Sequence, residues 1–468
     1  MLGRPAVVAC LSAVLGSLDS AINIGFPAIT AAFSLDVTSI QWVVVSYVLT
    51  HASLLLGCGG LADLWGHGRL LICGLLVSAV AFVACGSAPT FAWLVAARIG
   101  QGVGAALVFG SAPALVTLSV TAEARGRALG IYQMSAAAGY AAGPLIGGVL
   151  VDAFGWRAVF LFRVLPALLL TWLAAASLQQ LRERREAERF DLLGALTLAA
   201  SVCGFLLALS RSRTLGWASP QVMILLFVSI ACCAAFLMTE ARASAPVVDL
   251  RLFRRPHFII ANLLTVLANC ARFSIGLLMP YYVITVLRYP ATIGGSFMLA
   301  TALMTAVVAP LSGKLSDRFG TSHLSSLGLA IEGLGLWLIS RLDGQADYLS
   351  LAIALGVVGL GLGLFEAPNM SFVMGSIPRT QQGVAGSIAN MMRTLGIVFG
   401  ATGWSMLFDQ RRHLYSKQPT LQSPTDFQSF VPAVQDVFLG ASGLCVVAFV
   451  MSLARRQEAN RSKVITRH

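Results

Sequence analysis

The sequence predicts an all-α membrane protein, and three features of the chain carry this prediction. Of the 468 residues, 57% are hydrophobic and only 11% are charged, and the mean hydropathy is +0.81. A soluble globule of this length needs more polar surface than such a composition supplies, so lipid must be part of the solvent. The apolar residues also form helix-length segments, and one short pattern occurs once in each half of the chain.

About fourteen segments are long enough to cross ~30 Å of hydrocarbon. They lie near residues 6–33, 40–62, 69–87, 91–119, 127–151, 158–178, 191–210, 221–240, 257–287, 291–312, 323–340, 347–375, 381–408 and 432–454. Charged stretches after the sixth segment and before the ninth predict two six-helix bundles with an extra central helical hairpin between them.

The predicted division of the chain has four parts. Residues 1–180 form the N-terminal six-helix bundle, and residues 181–256 form a cytoplasmic linker that includes the two-helix hairpin. Residues 257–455 form the C-terminal six-helix bundle, and residues 456–468 form a cytoplasmic tail. Roughly 20 Lys and Arg fall in the loops on one side and roughly 8 on the other, which predicts that both termini are cytoplasmic. The longest outer loop is predicted at residues 409–430.

The repeated pattern is Gly-x-Leu-x-Asp-x-x-Gly, at residues 59–66 and 313–320. Each copy lies where one apolar segment ends and the next begins, which predicts a tight polar turn at the membrane surface. Internal repeats that cross the bilayer are typical of alternating-access carriers. The pattern therefore favours a duplicated transporter.

The composition argues against several other functional classes. The net charge of +12 comes from short Lys and Arg blocks between apolar segments, which set topology and predict no nucleic-acid partner. Six scattered His and nine Cys without metal-ligand spacing predict no metal site, and no nucleotide-binding pattern is present. The chain is therefore expected to be neither an enzyme nor dependent on a cofactor.

Three motifs together resemble those of a known family. Residues 59–66 resemble motif A of the major facilitator superfamily, the stretch Leu94–Gly104 with Arg98 resembles its motif B, and residues 139–148 resemble its motif C. The resemblance covers nearly the whole chain. It implies the fold of that superfamily, with two bundles in a pseudo-twofold relation. The fourteen segments and motif C are similar to the drug:proton antiporter subfamily.

The motifs also supply predicted gating residues. In motif C, small residues permit close helix contact and Pro144 bends its helix, which suits a surface that must slide; a static packing seam is the open alternative. Motif A departs from the family pattern in its basic positions and keeps only Arg69 and Arg318. The predicted gating set is Gly59, Asp63, Gly66, Arg69, Gly139, Gly143, Pro144, Gly147, Gly148, Gly313, Asp317, Arg318 and Gly320.

Charges inside the membrane are costly unless they are paired, solvated or functional. The resemblance implies that Asp19 carries the proton. Arg98 is expected to be its partner or modulator, since a permanent positive charge favours the ionised acid, and Glu366 is a second candidate for protonation or cation contact. A regular first helix would turn Asp19 about 100° away from the direction usual in the subfamily. The open alternative is a structural pair of Asp19 with an arginine. The seven charges predicted inside the membrane are Asp19, Arg98, Arg163, Arg272, Glu332, Glu366 and Arg393.

Four arginines against three carboxylates leave about one positive charge in excess. A cavity of this sign favours anionic or zwitterionic substrates, although Arg272 has a rival interpretation as the partner of a neighbouring Glu. Glu332 is expected at the bundle periphery as a structural pair. The predicted substrate cavity comprises Asn23, Phe26, Gln133, Arg272, Tyr281, Asn369 and Arg393.

These features predict a monomeric, proton-coupled carrier in the plasma or bacterial inner membrane. It would export an amphipathic small molecule by alternating access in exchange for protons. A symporter or facilitator that imports a metabolite, and a membrane sensor without transport activity, are the alternatives. The sensor is disfavoured because no loop is long enough for an output domain.

Overall fold

The computed structural model describes residues 3–121, 125–178, 192–216, 218–242, 255–375, 382–416 and 427–465, and every regular element in these ranges is helical. The chain divides into two compact units. Unit 1 comprises Met1–Leu35 and Trp42–Asp249, and unit 2 comprises Asp36–Gln41 and Leu250–His468. The predicted four-part division stays a prediction.

Unit 1 contains the first ten α-helices. They are α1 (Arg4–Ser17), α2 (Phe26–Ala32), α3 (Gln41–Trp65), α4 (His67–Gly86), α5 (Phe91–Leu118), α6 (Arg125–Phe154), α7 (Ala158–Leu161), α8 (Val164–Leu178), α9 (Leu192–Leu215) and α10 (Pro220–Arg242). The core lies where α1, α4, α5, α6 and α8 meet. Helices α9 and α10 pack against each other, and the Ser229 hydroxyl donates a hydrogen bond of 2.8 Å to the Ser201 carbonyl oxygen.

Unit 2 contains the remaining six α-helices. They are α11 (Pro256–Tyr281), α12 (Ala291–Phe319), α13 (Thr321–Ile339), α14 (Tyr348–Gly375), α15 (Gln382–Tyr415) and α16 (Phe427–Ile465). Helix α14 packs on α12 and α13, α13 packs on α16, and α11 packs on α15 and α16. A π-helical turn, Tyr282–Val286, extends α11.

Twelve helical stretches of the described residues are long and apolar enough to cross a membrane. Large apolar side chains such as Leu165, Trp172 and Phe227 are more than 60% exposed, which suits a surface that faces lipid. Helices α9 and α15 lie at the two other predicted places but are not among the twelve. The fourteen-span count and the extra central hairpin therefore stay predictions.

The two copies of the repeated pattern end their helices in the same way. Gly66 and Gly320 have φ of 98° and 89°, and each amide donates a hydrogen bond of 2.9 Å to the carbonyl four residues earlier. Positive φ is accessible to glycine at little cost, so the last glycine of each copy permits the turn into the next helix. The turn predicted from the sequence is present at both positions.

The first predicted span is not one regular helix, and this corrects the expectation for Asp19. Helix α1 ends at Ser17, a 3₁₀ segment covers Leu18–Gly25, and α2 begins at Phe26. A 3₁₀ helix has three residues per turn, so it presents its side chains in other directions than an α-helix does. The angular offset derived for Asp19 from a regular helix was therefore wrong.

Candidate functional site

Asp19 lies at the centre of a buried ionic cluster in unit 1. Its two oxygens accept hydrogen bonds from Arg98, with Nη1 to Oδ1 at 2.7 Å and Nη2 to Oδ2 at 2.9 Å. Oδ1 also accepts from Arg163 Nη1 at 3.0 Å and from Gln101 Nε2 at 2.7 Å. The Asp19 side chain is only 13% exposed. One carboxylate thus binds two guanidinium groups with little access to water.

Arg98 is fixed by several further contacts. Its Nε donates to the Val43 carbonyl oxygen at 2.8 Å, and its Nη1 also donates to Gln101 Oε1 at 2.8 Å. The guanidinium lies 4.3 Å from the centre of the Tyr47 ring, a favourable cation–π position. These contacts connect the 3₁₀ segment with α3 and α5. Gln101 follows Arg98 by one helical turn, so motif B places both side chains on the same helix face.

Arg163 joins the same cluster from the junction of α7 and α8. Its guanidinium lies 4.4 Å from the Phe82 ring centre, and Nε donates to the Val159 carbonyl oxygen at 3.2 Å. Nη2 is buried and has no hydrogen-bond partner among the described residues. Since Arg98 and Arg163 are 1% and 0% exposed, the ionised cluster holds one positive charge in excess inside unit 1. Such an excess is costly, because a buried guanidinium that lacks a full set of partners loses its hydration without compensation.

The glycines of motif C pack directly against the segment that carries Asp19. A Cβ atom on Gly143 would overlap the Ser20 hydroxyl, and one on Gly147 would overlap the Ala21 carbonyl. Gly139 meets Val14 in the same manner. Close backbone approach between helices requires small residues at the contact. The small-residue face of α6 therefore supports the first helix where its geometry becomes 3₁₀.

Pro144 and Ser20 are linked through one carbonyl group. Proline has no amide hydrogen, so Pro144 cannot donate to the carbonyl four residues earlier in α6, which belongs to Tyr140. The Ser20 hydroxyl donates to that carbonyl oxygen at 2.8 Å. The residue next to Asp19 thus supplies a hydrogen bond that Pro144 cannot supply.

Unit 2 contains a second carboxylate between two arginines. Glu366 Oε1 accepts from Arg272 Nη1 at 3.2 Å and lies 3.5 Å from Arg393 Nη2. Arg272 Nη2 also donates to Asn269 Oδ1 at 2.9 Å. The side chains of Arg272, Glu366 and Arg393 are 18%, 24% and 41% exposed. This cluster is looser and more accessible than the one around Asp19.

Glu332 has an environment unlike that of Asp19 and Glu366. It is 0% exposed in α13, and neither carboxylate oxygen has a hydrogen-bond partner among the described residues. The expectation of a structural pair for Glu332 is therefore not met in this structure. Sequence position alone could not show this, because burial here depends on the close approach of α14 and α16.

The other predicted cavity residues occupy varied environments. Asn369 Nδ2 donates to the Ala261 carbonyl oxygen at 3.1 Å and to Thr265 Oγ1 at 3.0 Å. Phe26 and Tyr281 are buried and show no surface to a ligand in this structure, whereas Gln133 is exposed. Asn23, in the 3₁₀ segment, is partly buried. Their roles in substrate binding stay predictions.

Among the motif A residues, Gly59 and Gly313 have space around them, since no atom of the described residues would lie within 4 Å of a Cβ atom at either position. Arg69 and Arg318 are exposed. The side chains of Asp63 and Asp317 lie outside the described part of the structure. The gating roles of these residues stay predictions.

The family model of the Major Facilitator Superfamily matches residues 8–401. The chain belongs to the major facilitator superfamily. It is similar to the multidrug resistance protein Stp of Mycobacterium tuberculosis, with 32% identity over 380 residues, which cover 81% of this chain and 70% of that protein. The cephamycin export protein CmcT of Amycolatopsis lactamdurans is 34% identical over 403 residues, covering 84% and 82%.

Two further likenesses cover almost the whole chain. The riboflavin transporter RibZ of Clostridioides difficile is 25% identical over 457 residues, covering 97% of this chain and 98% of that protein. The crystal structure of a bacterial homologue of the human lysosomal transporter Spinster, inward-facing and unoccupied, matches with a TM-score of 0.73 at 16% identity, covering 97% and 96%. The latter supports the fold. This major facilitator protein is a multi-pass membrane transporter of small molecules.

Sequence reasoning found Asp19 and Arg98 but did not assign Arg163 or Gln101 to their cluster. The charge of Arg163 within an apolar segment was a usable signal, since a buried arginine requires a partner. For Gln101, the signal was its spacing of three residues from Arg98.

Proposed function

We propose that this transporter exports amphipathic small molecules in exchange for protons. The observation that carries the proposal is the buried Asp19 carboxylate, which Arg98, Arg163 and Gln101 hold ionised in this state and which would bind a proton when these contacts separate. Similarity to an antibiotic exporter and to a multidrug resistance protein supports efflux as the direction. The resemblance of residues 139–148 to the antiporter motif supports exchange.

Proton binding at Asp19 would change the contacts within unit 1. A protonated carboxyl group has no negative charge to hold Arg98 and Arg163, and each guanidinium would need water or another acceptor. The 3₁₀ segment, α5 and the α7–α8 junction would then lose their shared anchor. Since motif C packs on the same 3₁₀ segment, this change can reach α6. Proton binding is thereby linked to helix packing, as exchange requires.

In unit 2, we propose that Arg272 and Arg393 respond to the charge of the substrate, because both guanidinium groups are already paired with Glu366. A substrate with an acidic group would compete with Glu366 for these partly exposed arginines. This extends the predicted preference for anionic or zwitterionic compounds. Asn369, on the same helix as Glu366, would contribute polar contacts.

Transport in proteoliposomes under an imposed pH gradient tests the proposal. The compounds are matched amphipathic cations, neutral molecules and anions, and the direction of each is recorded relative to that of protons. We expect accumulation against the substrate gradient, driven by protons that move the opposite way. Transport that ignores the pH gradient would overturn the proposal.

The importer alternative has one observation in its favour, the similarity to RibZ over 97% of this chain. The same assay separates the two functions. Movement of substrate in the same direction as protons identifies a symporter, and downhill movement alone identifies a facilitator.

We further propose that both termini and residues 182–190 are cytoplasmic, because the Lys and Arg bias places them there. A cysteine introduced at position 186, in a variant that lacks the exposed Cys73 and Cys233, should react with an impermeant reagent only after the membrane is opened. Labelling from outside intact cells would contradict the fourteen-span topology.

A further inference from the structure

Glu332 lies near the middle of the membrane thickness. Helix α13 has 19 residues, Thr321–Ile339, which extend about 28 Å at 1.5 Å per residue. Glu332 is about 16 Å from the first residue on the same scale. A hydrocarbon core of about 30 Å therefore has this carboxyl group close to its midplane. Carboxyl groups at this depth are rare and mark functional sites by default.

Three glycines permit close packing of α14 on the face of α13 near Glu332. A Cβ on Gly361 of α14 would lie 2.7 Å from the Glu332 Cα. Cβ atoms on Gly328 and Gly335 of α13 would lie 2.6 Å from the Phe365 amide nitrogen and 2.7 Å from the Val358 amide nitrogen. Such backbone contact leaves no layer of water between the helices.

Helix α16 covers the neighbouring face of α13. The Ser442 hydroxyl donates to the Gly333 carbonyl oxygen at 2.8 Å, and a Cβ on Gly333 would lie 3.0 Å from the Cys445 Cβ. Both oxygens of Glu332 are thus enclosed, without a hydrogen-bond partner among the described residues. An ionised, unpaired carboxylate in an apolar interior is far too costly, so the group must carry its proton in this state.

The groups that act electrostatically on Glu332 come from three helices. They are Arg272 of α11, Glu366 of α14 and, through its thiol, Cys445 of α16. Helix α12 has its charged residues, Lys314, Asp317 and Arg318, at its end, next to the start of α13. Glu332 is therefore a neutral acid within the influence of the accessible pair of Arg272 and Glu366.

We propose that Glu332 is a second proton-binding site, in unit 2, and that it exchanges its proton with Glu366 of the facing helix α14 once these two helices separate enough to admit water. In the transfer, the Glu332 carboxyl group loses its O–H proton and becomes a carboxylate, while the Glu366 carboxylate gains a proton and becomes a carboxyl group. The charge of Arg272 then favours the ionised Glu332, since Glu366 no longer neutralises it. This inference deepens the proposed proton exchange and rests on it only for its transport consequence.

Infrared spectroscopy of the purified protein tests proton occupancy without any transport. A protonated carboxylic acid has a C=O stretching band apart from those of carboxylates and amides. At neutral pH we expect such a band in the wild type, its loss in Glu332→Gln, and its retention in Glu366→Gln. Glutamine keeps the size and polarity of the neutral acid, so Glu332→Gln should fold. An unchanged band in Glu332→Gln would overturn the inference.

A second measurement does not need the Glu332→Gln variant and therefore tests the inference even if that variant fails to fold. Glutamate labelled with ¹³C in the wild-type protein shifts the band if it belongs to a glutamate, and persistence of the band in Glu366→Gln then excludes the other glutamate predicted inside the membrane. Absence of a label-sensitive acid band also overturns the inference.

The transport consequence is measured separately. Glu332→Gln should keep substrate exchange without a pH gradient but lower the number of protons moved per substrate, and Glu332→Asp should keep that number. A wild-type protein that shows the infrared band and no coupling to protons would overturn the proposed exchange of protons for substrate, whereas the proton site at Glu332 would stand. Coupling in the wild type that is unchanged in Glu332→Gln would overturn the transport role of Glu332 alone.

Discussion

Asp19→Asn should destabilise the protein as well as abolish proton coupling. The wild-type cluster of Asp19, Arg98 and Arg163 has a net charge of about +1, and the substitution raises it to about +2 without any exposed side chain to disperse it. Removal of one partner from a buried ion pair costs about 3–5 kcal/mol.

Arg163→Gln in the same background supplies a charge-matched control. The double variant Asp19→Asn/Arg163→Gln returns the cluster to about +1, and glutamine can still donate a hydrogen bond to the asparagine oxygen. We expect it to recover at least about 2 kcal/mol of the free energy of unfolding lost in Asp19→Asn, since closely coupled sites show interaction energies of up to about 3 kcal/mol. Transport driven by a pH gradient should remain absent in both variants.

Denaturation of the wild type, Asp19→Asn, Arg163→Gln and the double variant in detergent, followed by transport in proteoliposomes, completes the double-mutant cycle. A stable Asp19→Asn protein, or a double variant no more stable than Asp19→Asn, would refute the electrostatic account of the cluster. Uphill transport that persists in either variant would show that Asp19 is structural, and Glu366 would then be the leading proton carrier.

Three further predictions follow from individual contacts. Gly147→Ala should lower the free energy of unfolding by about 1–3 kcal/mol through overlap with Ala21. Gly130→Ala in the same helix, where an added Cβ would meet no atom of the described residues within 4 Å, should be neutral or slightly stabilising. Ser20→Ala should lower the free energy of unfolding by about 1 kcal/mol, because its hydrogen bond to the Tyr140 carbonyl oxygen joins two helices. Ser12→Ala, whose hydrogen bond lies within α1, should lower it less. Equal losses of stability in the two variants would contradict the interhelical role of Ser20. Arg272→Gln should fold, because Arg393 still neutralises Glu366. The variant should bind acidic analogues less tightly than the matched amides, since one guanidinium group is missing. An equal loss of affinity for both analogues would contradict the anion hypothesis.

The sequence predicted the all-helical superfamily fold, and it indicated Arg98 as a partner of Asp19. The predicted segments match the starts of the described helices closely, because the length of a span is set by the bilayer. Helices α12, α15 and α16 end at Phe319, Tyr415 and Ile465, beyond the predicted ends at 312, 408 and 454. The repeated glycines, Gly66 and Gly320, predicted the turns at their positions, because few other residues adopt positive φ. Asp19 and Arg98 could be found because charges are conspicuous in apolar segments.

The sequence was insufficient where tertiary contacts decide the outcome. The 3₁₀ geometry of residues 18–25 leaves no periodic signal that differs from an α-helix over so few residues. Arg163 lies 144 positions from Asp19, so only folding brings them together. The burial of Glu332 depends on glycines in two helices, and no local pattern around Glu332 reports it.

The two arginine-flanked carboxylates differ in how firmly they are held. Around Asp19, both arginines are buried and the ionic contacts are 2.7 and 3.0 Å. Around Glu366, the contacts are 3.2 and 3.5 Å and the side chains are partly exposed, so water competes for them. An acidic substrate group would therefore displace Glu366 from Arg272 and Arg393 at a lower cost than it would displace Asp19 from Arg98. Because of this difference, we expect an acidic substrate to be sensed at Glu366 in unit 2 rather than at Asp19 in unit 1.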